Sequence, residues 1–180
     1  MKTLIKGSML ACMIMANSLA VADNQPYFGG EADVAFANSL WQTLTKNRWA
    51  GPEAINVFPF RGNQPHGAIQ QVTDSMVSVD GRSGRVVVKR NHGGEGADPK
   101  TVYADPEKYL KAVTVMYKRE SGYDKENQDW FWAKYSPNGK IDKNPKGVSL
   151  AGRVGKGASA GCIAFHKAIG GEDLETLTLR

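Results

Sequence analysis

Apolar positions recur at spacings of three and four between residues 31 and 45, at Val34, Ala37, Leu40, Trp41 and Leu44. That spacing predicts an amphipathic helix with one buried stripe, and Trp49 ends its packing face. Downstream the period drops to two or gives way to short apolar runs, at residues 68–72, 76–79, 85–89, 112–118 and 130–135, each bounded by turn residues. These runs predict strands. Within the last of them, Trp130, Phe131 and Trp132 alternate, so one face of that strand belongs to a core and the other to a pocket wall.

Turn chemistry punctuates the pattern. Asp80-Gly81 and Pro137-Asn138-Gly139 are turn sequences, and Asp105-Pro106 reads as an N-cap followed by proline at the first helical position. Near the C-terminus the glycine-rich stretch 155–161 leads into Cys162-Ile-Ala-Phe165-His166-Lys-Ala-Ile169, with Gly170-Gly171 as a helix stop. The expected fold is α+β: a mainly antiparallel sheet with an N-terminal helix and a short C-terminal helix. No internal repeat or low-complexity block interrupts the 180 residues.

The first residues follow a different logic. Lys2 and Lys6 precede an uncharged apolar run over 9–22 that closes on Ala20-Val21-Ala22, the pattern of a secretory signal peptide. The run is shorter than the roughly 20 strongly apolar residues a membrane span needs. Residues 1–22 are therefore expected to be a leader and 23–180 a single exported domain, with the periplasm as its compartment. Removal of the leader lowers the basic count from 23 to 21 against 18 acids. The basic residues that remain are interleaved with acids, as in Lys118-Arg119-Glu120, which argues against a nucleic-acid partner.

Of the two cysteines, Cys12 lies in the leader, so Cys162 is the one thiol of the exported domain and has no intramolecular disulfide partner. Cys162 and His166 stand four residues apart, on one face of a short helix. Small residues on its approach allow a flat ligand near the backbone. This arrangement suits covalent haem attachment, in which the sulfur adds to a vinyl group and the histidine binds iron. The usual signature is C-x-x-C-H, whereas this chain has Phe165 in place of the second cysteine. A thiol-hydrolase pair is disfavoured, because a cysteine and its histidine base normally come from separate elements.

Several separated motifs accompany that helix: Pro65-His66-Gly67, Val115-Met-Tyr-Lys118, Gly122-Tyr-Asp124, Asp129-Trp-Phe-Trp-Ala-Lys134, Gly152-Arg-Val154 and Gly161-Cys-Ile-Ala. Together they resemble the cytochrome P-460 family, over residues 41–168. The resemblance implies a homodimer carrying one c-type haem with an open iron position. It makes Cys162 the thioether residue and His166 the axial ligand, the metal-binding residue of the site, with Phe165 beside the haem. Members of the family either oxidise hydroxylamine or bind nitric oxide, and a redox partner protein follows from either role. The oxidising enzymes join a lysine to the haem edge, and Lys89 matches that position, although read from its residues alone Lys89 is expected to be a strand-end lysine facing water. They also carry a carboxylate just before the first cysteine, and residues 150–161 contain none. This favours ligand binding or electron transfer over catalysis.

The loss of the second cysteine leaves three outcomes open: haem held by a single thioether, haem held without a covalent bond, or a haem-free exported binding module that kept the scaffold. Two histidines remain. His66, between proline and glycine, is expected to be a structural turn residue, the alternative being a second axial ligand or a distal polar group. His92, before Gly93-Gly94, is expected in a solvent-exposed loop.

Overall fold

The computed structural model describes residues 27–62 and 66–169. The leader reading of residues 1–22 and the glycine stop at Gly170-Gly171 lie outside these. The first helix, α1, spans Glu31–Lys46. Glu31 and Asp33 in its first turn and Lys46 in its last complement the helix dipole. Ala37, Leu40 and Leu44 form its buried stripe, and each leucine contributes on the order of 2 kcal/mol through removal from water.

Six strands follow: β1 (Phe60–Arg61), β2 (Ile69–Val79), β3 (Arg82–His92), β4 (Leu110–Lys118), β5 (Trp130–Tyr135) and β6 (Ala151–Gly152). They form one antiparallel sheet in sequence order, each strand beside the next. Two short helices, α2 (Pro99–Ala104) and α3 (Pro106–Tyr109), fill the β3–β4 connection, and α4 (Cys162–Ile169) comes last. The fold is α+β with a mainly antiparallel sheet, as the patterning predicts. No described helix is long and apolar enough to cross a membrane.

Local chemistry accounts for the joints. Asp80-Gly81 makes the two-residue turn between β2 and β3, pairing Val79 with Arg82. Asp105 caps α3 through a bond from the Lys108 amide. A capping box, in which the Asp98 carboxylate accepts from the Thr101 amide and the Thr101 hydroxyl sits on the Asp98 amide, starts α2.

The sheet buries both faces. Side chains of Val86, Val88, Val113, Val115, Tyr117, Phe131 and Tyr135 pack against α1 in the larger core. Their alternates Val87, Met116, Trp130 and Trp132 form a second cluster with Val154 and Ile163 on the side covered by α4. Phe131 thus joins the core while its two tryptophan neighbours line the other face.

Three expectations need correction. The two runs at 68–72 and 76–79 are one strand, because Thr73, Asp74 and Ser75 pair through backbone with Val86–Val88 in spite of their polarity. His92 is not in an exposed loop: it ends β3, paired with Ile69, and is 1% exposed. Lys89 does not face water at a strand end. It lies inside β3 and is 4% exposed.

Candidate functional site

The register of the sheet lines up four residues from four strands. Val72 pairs with Lys89, Lys89 with Thr114, and Thr114 with Lys134. The next row on the same face is Val87, Met116 and Trp132. These two rows are the floor of the site, and α4 is its roof.

Two backbone features hold the walls in position. Before α4, Gly161 has φ +120° and its Cα lies so near Gly155 that an added Cβ would meet the Gly155 Cα at 3.0 Å. Only glycine lets the two segments close like this, and the contact fixes where Cys162 begins. On the opposite wall Gly67 has φ +93°, and a Cβ there would meet the His92 carbonyl oxygen at 2.9 Å. That packing seats the segment carrying His66 against the end of β3.

His166 is 2% exposed, with its ring 4.6 Å from the Trp132 ring, centre to centre. The His66 ring stands 5.7 Å from it in a steep edge arrangement, and Phe165 is 5.9 Å from His66 and 5.7 Å from His166. Cys162, one turn before His166, is half-buried against the second core cluster. The site thus brings together His66, Phe165, His166, Cys162 and Lys89.

Two spaces adjoin these residues. A chamber of about 20 Å³ is lined by Lys89, Thr114, Trp132, Cys162, His66 and His166, enough for one water-sized molecule. A cleft of about 770 Å³ opens beside it along α4, with His66, Asn91, Lys134, Cys162, Phe165 and His166 in its wall. That volume lies in the range of cofactor and small-molecule sites, roughly 300–1,000 Å³.

Charge in the site has one sign. Lys89 lines the chamber and Lys111 and Lys134 line the cleft, and among the described residues no carboxylate lines either space. Lys134 is bridged at 2.8 Å to Asp142 outside the lining. Burial, then the charges of Lys89, His166 and Lys134, lower the His66 pKa from 6.5 to about 4, so its imidazole is neutral at physiological pH. Burial raises the Cys162 thiol to about 11.

The polar contacts of His66 are few. Its Nδ1 is 3.3 Å from the Thr114 hydroxyl, which in turn accepts from the Asn91 side-chain amide at 3.0 Å. Its Nε2 is buried with no hydrogen-bond partner among the described residues. His66 therefore belongs to the site rather than to a turn alone. The signal for this lay in Gly67, a glycine that could admit a close backbone approach, but its target, the His92 carbonyl, is 25 residues away in sequence and only the fold identifies it.

Among the described residues no group of three or more His, Cys, Asp or Glu side chains is close enough to hold a metal ion. A bare ion commonly takes three or four protein ligands. A macrocycle that brings four nitrogens of its own needs only one or two, and two imidazoles, a thiol one helical turn from one of them, and a cleft of this volume fit such a group. No protein-family model, no curated protein and no solved structure matches this chain.

Proposed function

We propose that this chain is an exported haem protein of cytochrome P-460 type, working in the periplasm, in which the cleft beneath α4 would take the haem and His166 would hold its iron. The observation that carries the reading is the seating of His166: almost fully buried, edge-on to Trp132, in the wall of a 770 Å³ cleft that Cys162 also lines. Bound haem would supply an iron position for a small nitrogen ligand such as nitric oxide or hydroxylamine. The chain's own residues orient the group and shape its surroundings.

Trp132 holds the His166 ring against rotation, and burial keeps bulk water from the nitrogen that would meet iron. Cys162, one turn earlier on the same face, is the candidate for a single thioether. The sulfur would add across a vinyl group of the haem, with the thiol proton going to the vinyl carbon. Phe165 gives an apolar wall where the usual motif has its second sulfur.

The lack of a lining carboxylate among the described residues favours ligand binding or electron transfer over hydroxylamine oxidation, since oxidation must hand protons to a positioned base. Lys89 remains the candidate for a crosslink to the haem edge. Its burial beside His66 and His166 supports that role over a solvent-facing one. A homodimer and a redox partner protein complete the proposal.

The test is an absorption spectrum of protein exported from cells with haem-maturation machinery, followed by acid-acetone extraction. Retained haem identifies the Cys162 thioether, and extractable haem identifies binding through His166 alone. Absence of haem from the parent protein sinks the reading in favour of the haem-free module. His166→Ala should abolish the native spectrum; an unchanged spectrum would remove His166 as ligand. Lys89→Leu should alter the spectrum if the crosslink forms.

A further inference from the structure

A β-bulge puts a cation where the alternation of β4 would not. His92 pairs with Leu110 and Asn91 with Ala112, so Lys111 is an extra residue in the ladder. Leu110 and Val113 face the α1 core, and Ala112 lines the cleft. Strict alternation would send Lys111 to the α1 side with Val113; the extra residue lets it line the cleft instead. Across the ladder stands Asn91, which also lines the cleft and is 5% exposed. Its Oδ1 is buried with no partner among the described residues, while its Nδ2 donates to Thr114 Oγ1 at 3.0 Å. A half-turn of the amide keeps that contact, with the hydroxyl as donor, and sets the two N–H bonds on the open side.

The rest of the lining divides the cleft into a basic part and an apolar one. Of its two lysines, Lys134 is bridged to Asp142 at 2.8 Å, and Lys111 has no carboxylate partner among the described residues. No described carboxylate lines the cleft, and α4 presents Ala164, Phe165 and Ala168 to it. An amide with an open buried atom beside an ammonium without a partner is a donor set for a carboxylate. We infer that Asn91 and Lys111 form a carboxylate subsite in this cleft, so that its occupant is an apolar group ending in carboxylate. The inference rests on the haem reading above for that group, whose propionate side chains the subsite would hold.

Ferric haem and its dimethyl ester, in which both carboxylates are capped, are the probes. They are titrated into protein made without haem-maturation machinery, the parent beside Lys111→Met, Lys111→Arg and Asn91→Leu. The parent should bind haem about tenfold or more tighter than the ester. Lys111→Met and Asn91→Leu should each cut that preference to about threefold or less with the ester affinity unchanged, and Lys111→Arg should keep it. A parent that binds both probes equally overturns the carboxylate subsite and leaves the haem reading intact. A preference that survives both substitutions, or a variant that loses both probes alike, overturns the assignment to Asn91 and Lys111. Binding of neither probe to the parent also overturns the inference, and the haem content of protein exported with the machinery then tells whether the haem reading falls with it.

Discussion

The two faces of the sheet are both buried, yet their polar atoms are treated differently. On the α1 face, the deeply buried tyrosines have their hydroxyls bonded: Tyr135 donates to the Ala37 carbonyl and Tyr117 to the Arg82 carbonyl, each at 2.7 Å. On the α4 face, the indole N–H groups of Trp130 and Trp132, the Asn91 side-chain oxygen and His66 Nε2 have no partner among the described residues. Native interiors satisfy most buried polar groups, and the α1 side has exceptions of its own at the Thr45 and Tyr123 hydroxyls. What differs is the placing: on the α4 face Asn91 and His66, each with an open polar atom, line the cleft, whereas the α1 core is otherwise packed apolar.

The largest expected effect tests the first half of that contrast. Leu40→Ala, at a fully buried position of the α1 core, should lower unfolding free energy by roughly 2–5 kcal/mol in urea denaturation. It should leave the ligand stoichiometry of the folded protein unchanged. A loss below about 1 kcal/mol would mean the α1 face is not the stabilising one.

Acid should act next. Burial, reinforced by the Arg90 charge, lowers the His92 pKa from 6.5 to about 4. The unfolded chain therefore binds more protons than the native protein between those values. Stability is fully present above pH 6.5 and falls as pH drops towards 4, by about 3 kcal/mol for His92. His66 acts in the same direction. Urea unfolding at a series of pH values measures the slope, and a His92→Gln variant should show a shallower one.

Tyr135→Phe is a smaller change, because it removes one hydrogen bond to the Ala37 carbonyl, which keeps its own bond within α1, at a cost of about 1 kcal/mol. The corresponding change on the other face, Trp132→Phe, removes an N–H with no described acceptor. It should weaken the seating of His166, read, on the haem proposal, as a shift in the spectrum of haem-loaded protein.

The last prediction leaves stability untouched. With its pKa raised to about 11, the Cys162 thiol of haem-free folded protein is about a thousandth ionised at pH 8. Iodoacetamide should therefore label it far more slowly than in urea-unfolded protein, and similar rates would show that α4 does not protect the sulfur.

Much of the scaffold was legible in the chain. The stripe of Ala37, Leu40 and Leu44 faces the core as its spacing requires, β5 has the bounds its aromatic run suggests, and the Asp80-Gly81 and Asp105-Pro106 signals mark a hairpin and a helix start. The continuity of β2 was not, since Thr73-Asp74-Ser75 carry no strand signal; backbone pairing to β3 and the Asp74–Arg85 ion pair at 2.6 Å bridge that stretch. Cys162 and His166 were legible as a pair because they are neighbours on one helix. Lys89 and His66 were not, since their burial depends on strands and loops far apart in sequence.

What the sequence by itself determined is whatever the chain's own geometry sets: the three-and-four spacing that makes α1, the alternation that sends Phe131 one way and Trp132 the other, and the four-residue step that puts Cys162 and His166 on one face. The tertiary structure alone decided which side chains lost their water. The sheet register carries Lys89, Thr114 and Lys134 into one row beneath α4, and the approach of Gly67 to β3 sets His66 beside His166. Desolvation and charge proximity depend on distances between segments remote in sequence, so the neutral His66 and the high pKa of Cys162 exist only once the chain has folded.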